Sequence, residues 1–530
     1  FTSLFNNDAP DINYPRSDLR CSFGIALEAL LKRREDSTND SGCLNQQIHL
    51  INRRAASLIR VSHTRHPVMA QPHVLLVTLP GQGHINPSLQ FAKRLIHLGL
   101  RVTFATAVSA IRRMKPMSPL EGLTYVAAYS DGYDDGLKPG DDIDRYILES
   151  RRKGLETLSE FIGASIEEGI RFTCIVYGIM LPWVALVARE FHIPSTLLWN
   201  QPASVFVTYY HYFKDYGDII RKNVKDPSSI VELPGLPPLA SRDMPSFFLP
   251  ANEYDCALPS LKQHVEILDE ETKPKVLVNT FDALEPEAIK VIDKYNLVGI
   301  GPLIPSAFLD GNDHSDSSFG GDLFKGTNDF VQWLDSMPKS SVIYVSFGSI
   351  LMLTKQQMEE IANGLLGTGY PFLWVIREGA GEKEEKLSRI EELKQQGMIV
   401  PWCSQVEVLS HPSVGCFLTH CGWNSALESL VSGVPMVTFP QLTDQGTNAK
   451  LVEDLWKTGV RVTRNPEERI VVEGHEIKRC LELIMEGGEK GEELRKNGKK
   501  WKYLAREAVK EDGSSLKNLE AFVQGLGKSY

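Results

Sequence analysis

A chain of 530 residues, 42% of them hydrophobic, exceeds one ordinary core and predicts two domains or a large α/β pair. Its formal charge of −10, with no long basic block, argues against nucleic acid and anionic membrane surfaces as partners, because both reward clustered Lys and Arg. Eight scattered cysteines without the dense spacing of a disulfide scaffold point to reduced thiols inside the cell.

The first 68 residues alternate charged and polar positions and stop before Met69, after which an apolar strand begins almost at once. Two readings stand for this extension. One is a transit peptide, which would place the protein in a plastid. The other is translated upstream sequence with Met69 as the start, which would leave it in the cytoplasm. The acids Asp8, Asp11, Asp18, Glu28, Glu35, Asp36 and Asp40 favour the second, since transit peptides are poor in acids. The sequon Asn39-Asp40-Ser41 carries little weight without a secretory signal.

From His73 onward, strand-like and helix-like segments alternate: His73 to Leu79, a helix to His97 closed by Gly99, then Arg101 to Thr106. Later strands are predicted at Thr173 to Tyr177, Ser195 to Trp199, Lys275 to Asn279 and Leu297 to Ile300. Such βαβα order implies a parallel sheet covered by helices. The apolar run Ile179 to Ala188 is interrupted by Pro182 and is too short to span a bilayer. Residues 306–330 have linker composition, rich in Asp, Gly and Ser. A second strand–helix series then starts near Trp333 and includes Ser341 to Phe347 and Phe372 to Ile376. Two Rossmann-like domains, 69–305 and 331–514, are expected to face one cleft, with a last helix near 515–530 completing the first. Ligands of such sheets bind outside the carboxyl ends of the strands.

After the first strand comes Leu79-Pro-Gly-Gln-Gly-His-Ile-Asn-Pro87. Its Gly81-x-Gly83-x-x-Asn86 mimics a dinucleotide fingerprint but lacks the third glycine and the acid closing the second strand, so nicotinamide binding is disfavoured. His84 sits where this glycine loop meets the helix. A neutral imidazole there suits a general base near pH 7. The competing reading is a histidine that merely caps the helix.

The richest segment runs from Trp402 to Gln445. Gly415 to Leu418 and Pro435 to Phe439 read as buried strands, and Asn424 to Val431 as a helix opening after Gly422. A helix start rich in Gly, Asn and Ser presents unpaired N–H groups to phosphate oxygens. Trp402 offers a flat face to a base, and Glu428 a carboxylate to a ribose diol. Asp444 and Gln445 are placed to bracket sugar hydroxyls. Ser349, in the loop Phe347-Gly348-Ser349, adds a hydroxyl for the phosphates. Taken alone, Glu428 would be an ordinary solvated carboxylate. Cys403, His411, Cys416, His420 and Cys421 fit no familiar zinc spacing.

This box resembles, without a gap, the signature of plant family 1 UDP-glycosyltransferases, and the resemblance extends from about His73 to the C-terminus. It implies the GT-B arrangement and transfer of glucose from UDP-glucose to a small acceptor, by inversion in one displacement and without a metal or other cofactor. Trp402 would stack on uracil, Cys403 and Gln405 would meet the uridine, and Glu428 would hold the ribose. His420, Asn424 and Ser425 would take the diphosphate, with Trp423, Asp444 and Gln445 on the sugar. His84 would take the acceptor's proton. A terminal Gln usually accompanies glucose in the family.

Two positions depart from the family pattern. Leu442 stands where many members have Trp, and Gly178 where most have the Asp that orients the base. Loss of that carboxylate weakens an imidazole base. An acceptor carboxylic acid, already ionised near pH 7, needs the base least. The sequence around 177–183 and 279–284 most resembles the branch with crocetin glucosyltransferase and anthocyanidin 5-O-glucosyltransferases. A hydrophobic acceptor is expected against Trp199, Phe206, Tyr209 and Tyr210. The loop Asp131 to Gly136 reads as solvated. A monomer is expected, and a UDP-sugar-binding protein with weak turnover is the second reading.

Overall fold

The computed structural model describes residues 71–526, apart from 116–119, 139, 227, 250–256, 310, 312, 325, 327–328, 378–386 and 465–470. The expected extension 1–68 and the last four residues of the expected terminal helix lie outside the described residues. All the described residues belong to one compact unit.

The first half is built on β1 (His73–Val77), β2 (Arg101–Ala107), β3 (Leu123–Tyr129), β4 (Cys174–Gly178) and β5 (Ser195–Trp199), with a small hairpin β6 (Ile230–Val231) and β7 (Leu239–Ala240), then β8 (Lys275–Val278) and β9 (Asn296–Gly299). The large sheet has order β3-β2-β1-β4-β5-β8-β9. All its pairs are parallel. Every side chain of β1, HVLLV, is buried. That continuous burial is what a central parallel strand covered on both faces requires.

The second half carries β10 (Val342–Ser346), β11 (Phe372–Val375), β12 (Met398–Val400), β13 (Val414–Thr419), β14 (Met436–Thr438) and β15 (Gly459–Arg461). Its sheet, β12-β11-β10-β13-β14-β15, is also parallel throughout. In each sheet the chain winds outward and then returns beside its first strand. The switch points fall between β1 and β4 and between β10 and β13. A crevice opens at the carboxyl ends of strands at such points. Leu79 to His84 follows β1, Gly178 ends β4, Gly348 and Ser349 follow β10, and His420 follows β13.

The two halves share interior. Phe281, Leu284 and Ile304 pack in one core with Trp423, Leu427 and Trp456. The indole N–H of Trp423 donates to Asn279 O at 2.8 Å, and that of Trp456 to Leu284 O at 3.2 Å. Arg461 Nη1 pairs with Asp243 at 2.7 Å, both side chains being almost fully buried. The final helix, Ser514–Leu526, sets Leu519 and Phe522 into the core of the first half beside Val74 and Phe91.

The expected linker behaves as a docked strap. Asp316 accepts from Gln90 Nε2 at 2.6 Å and Lys93 Nζ at 2.7 Å, and Leu323 N donates to Gln82 Oε1 at 2.8 Å. Its composition suggested a free connector, but one buried carboxylate with two partners holds it to the helix Gln82–His97. The loop after β3 also differs from expectation. Asp131 is buried rather than solvated, accepting from Ser109 Oγ, Tyr133 N and Tyr146 Oη.

Candidate active site

The helix Gln82–His97 starts from extended Gly81, and Pro87 lies inside it. The amides of His84 and Ile85 both donate to Gly81 O, so the glycine loop turns directly into the helix. His84 lines the cleft with a face only partly exposed, and burial lowers its pKa to about 4. It is therefore a neutral imidazole at physiological pH. Its Nδ1 is sealed from solvent and has no partner among the described residues. A Cβ built on Gly178 would meet nothing closer than Val77 O at 3.8 Å and Thr78 Oγ1 at 3.9 Å. The room for a carboxylate is present and the carboxylate is not.

On the opposite wall, His420 is held between two glycines. A Cβ on Gly348 would stand 2.7 Å from His420 Nε2, and one on Gly422 2.6 Å. Gly348 also has φ +75°, so glycine is required there twice over. Burial lowers His420 to about 4, which keeps it neutral and able to donate a ring N–H. The helix Trp423–Ser432 begins at extended Gly422, leaving its first N–H groups without intrahelical partners and its positive dipole end at the cleft. Ser349 lies in a loop that Arg377 grips through the carbonyls of Ser349 and Leu351. Arg377 went unrecognised in the sequence; its place at the end of β11, beside the switch point, was the available signal.

The residues expected to meet the nucleoside form a hydrogen-bonded set. Gln405 Nε2 donates to Ser425 Oγ at 3.0 Å and to Glu428 Oε2 at 2.9 Å. Tyr344 Oη donates to Gln405 Oε1 at 3.4 Å and touches Cys403 Sγ at 3.7 Å. Glu428 is buried, not solvated, and burial raises its carboxyl to about 7. Trp402 stacks on Phe324 of the strap, centroids 4.4 Å apart and planes 28° apart, a partner invisible in sequence because the strap is distant along the chain.

Asp444, expected at the sugar, is buried with its pKa raised by that burial, and it accepts from Asn448 Nδ2 at 2.7 Å and Thr443 Oγ1 at 2.8 Å. Gln445 Oε1 caps the amides of Gln441 and Leu442, so its NH2 end is the one left for a ligand.

Several expected roles are redistributed. The indole of Trp423, expected on the sugar, lies in the interior with its N–H bonded to Asn279 O. Asn424, expected at the diphosphate, donates from Nδ2 to Gly83 O of the first half at 2.8 Å. Trp199 and Phe206 are core: the Trp199 N–H is tied to Pro202 O, and the two rings meet edge-on at 5.0 Å. Tyr209 is equally enclosed, its hydroxyl without a partner among the described residues and its pKa pushed up by burial and by the charge of Asp444. An apolar cavity of about 140 Å³ lies between Leu79, Tyr146, Ile147, Met180 and Trp183, with Arg151 on its wall. Asn200, just past β5, was also missed: its buried amide has no partner for either atom among the described residues. Cys403, His411, Cys416, His420 and Cys421 do not converge, and among the described residues no three His, Cys, Asp or Glu side chains form a metal-sized group. No described helix is long and apolar enough to cross a membrane.

The family model UDP-glucoronosyl and UDP-glucosyl transferase matches residues 315–468. The chain is 59% identical to crocetin glucosyltransferase, chloroplastic, of Gardenia jasminoides, over 87% of this chain and 99% of that one. It is 56% identical to anthocyanidin 3-O-glucoside 5-O-glucosyltransferase of Verbena hybrida, over 86% and 99%. Among solved structures, Os79 from O. sativa in complex with UDP superposes with a TM-score of 0.76 at 33% identity, over 86% of this chain and 100% of that one. With two parallel sheets opening on one crevice and these relatives matched over nearly their full length, the chain belongs to the plant family 1 UDP-glycosyltransferases, enzymes of GT-B fold, in the branch of crocetin glucosyltransferase and the anthocyanidin 5-O-glucosyltransferases.

Proposed function

We propose that this enzyme transfers glucose from UDP-glucose, with inversion, to a hydroxyl or carboxyl group of a small hydrophobic plant metabolite, and that acidic acceptors are its best substrates. Flavonoids and anthocyanidins, apocarotenoids such as crocetin, and phenolic or hormone acids form the acceptor class. The observations that carry the acid preference are His84 Nδ1, sealed and without a partner among the described residues, and Gly178, which brings no carboxylate to the end of β4. A neutral base of low pKa with no carboxylate behind it is a poor acceptor of an alcohol's proton. A carboxylic acid arrives already ionised. Arg151 on the cavity wall favours an anion as well.

In this reading the acceptor oxygen attacks the anomeric carbon from the His84 side while UDP leaves toward His420, Ser349 and the N-terminus of the helix Trp423–Ser432. Those donors meet the leaving diphosphate without a metal. Glu428 and Gln405 hold the uridine, and Asp444 with the NH2 of Gln445 holds the glucose. The enzyme works as a cytoplasmic monomer; the label chloroplastic on one relative makes a plastid the alternative, decided by imaging the full chain fused to a fluorescent protein. The test of function is a mass-spectrometric panel with UDP-glucose, UDP-galactose and UDP-glucuronate against matched carboxylic acids and phenols. Glucosyl esters formed faster than phenol glucosides support the reading. Ester formation no faster than phenol transfer removes the acid preference, and UDP binding without any product leaves the second reading, a binding protein of weak turnover.

A further inference from the structure

Pro87 lies in the first turns of the helix Gln82–His97, and a proline has no N–H. In an α-helix that missing donor would have bonded to the carbonyl four residues earlier, which is Gly83 O. Gly83 O instead receives Asn424 Nδ2, at 2.8 Å, from the other half of the molecule. Gly83 immediately precedes His84, and Asn424 occupies the second position of the helix that starts at the diphosphate end of the box. Sealed carbonyls need a partner, so freeing this one inside the cleft creates a specific acceptor for a group across it.

We infer that Pro87 and Asn424 are positioning residues: the proline withholds the helix's own donor so that Asn424 can index the His84 loop to the donor-binding helix. The inference rests on the proposed role of His84 as base. The indexing fixes the base relative to the anomeric carbon, a geometry on which proximity effects depend steeply. It also means that a ligand bound in the second half stiffens the loop of the first through one hydrogen bond.

The test is Pro87→Ala, which returns an N–H to the helix and offers Gly83 O an internal partner. At saturating UDP-glucose, kcat is expected to fall about tenfold while UDP binding stays within about twofold, whereas a merely structural role would move Tm and leave kcat. In a double-mutant cycle, the Pro87→Ala effect on kcat should vanish in an Asn424→Ala background, because both act through one bond. Effects that multiply overturn the inference. Hydrogen exchange needs no turnover and so separates this inference from the assignment of the base: UDP should slow exchange at residues 81–86 in the wild type and not in Pro87→Ala. Equal protection in both proteins overturns the coupling even if His84 proves to be the base.

Discussion

Gly178→Asp installs a carboxylate where the fold already has space. Its Cβ would lie 3.8 Å from Val77 O and 3.9 Å from Thr78 Oγ1, both ordinary contacts. Thr78 Oγ1 in turn receives Ser88 Oγ at 3.1 Å, and Ser88 stands one turn past His84 on the same helical face. Thr78 and Ser88 thus link the new carboxylate's position to the helix that carries His84. An opposite charge within reach raises a histidine pKa by about 1–3 units, which would carry His84 from about 4 to roughly 6. Two units are about 2.7 kcal/mol in favour of the imidazolium. With about half of that expressed at the transition state, transfer to a phenol or alcohol rises roughly tenfold. Transfer to a carboxylic acid, which brings no proton to remove, changes by less than about twofold. Because the base works unprotonated, the acid limb of the kcat/KM profile for phenols should move to higher pH. Matched phenol and acid acceptors assayed from pH 5 to 9 check both points. No rise for phenols, or an equal rise for acids, refutes the account of why Gly178 is tolerated.

Two further outcomes follow from buried charge. Glu428 must be ionised to receive a ribose diol, and its carboxyl holds a proton up to about pH 7, so UDP affinity should weaken below pH 7 by as much as about tenfold per unit. Calorimetry from pH 5.5 to 8 reads this directly, and Glu428→Gln should lose affinity at pH 8 and flatten the profile. Arg461→Ala removes the shortest of the cationic contacts to buried Asp243, leaving Lys450 at 3.9 Å and Arg242 at 3.8 Å, and should lower Tm by several degrees. The exposed pair Arg389 and Glu392 is the control, since solvent screens it and Arg389→Ala should leave Tm nearly unchanged.

The strands were legible because β1, β4, β10 and β13 are unbroken apolar runs between turn residues, and parallel order follows from alternation with helices. The box was legible because its residues lie close together in the chain. What the sequence could not supply was the direction of a side chain once two halves meet. Trp423 and Asn424 belong to the box, yet one points into the core and the other across the cleft, because their partners, Asn279 and Gly83, are more than a hundred residues away. Trp199 and Phe206 read as pocket walls because aromatics suit both a core and a cavity. Their burial is decided by packing that no local pattern encodes. Phe324 and Arg377 were missed for the same reason, being brought to the site by the strap and by a neighbouring strand.

The central claim is that His84, neutral and without a carboxylate partner, deprotonates an acceptor beside a UDP-glucose site. Its most direct test measures UDP released from UDP-glucose in the presence of a phenol acceptor, in wild type and in His84→Ala, with UDP affinity measured alongside. A positioned general base contributes about 10²–10⁴-fold, so release should fall at least about 100-fold in the variant while UDP affinity holds within about twofold. Release that survives the substitution would contradict the account.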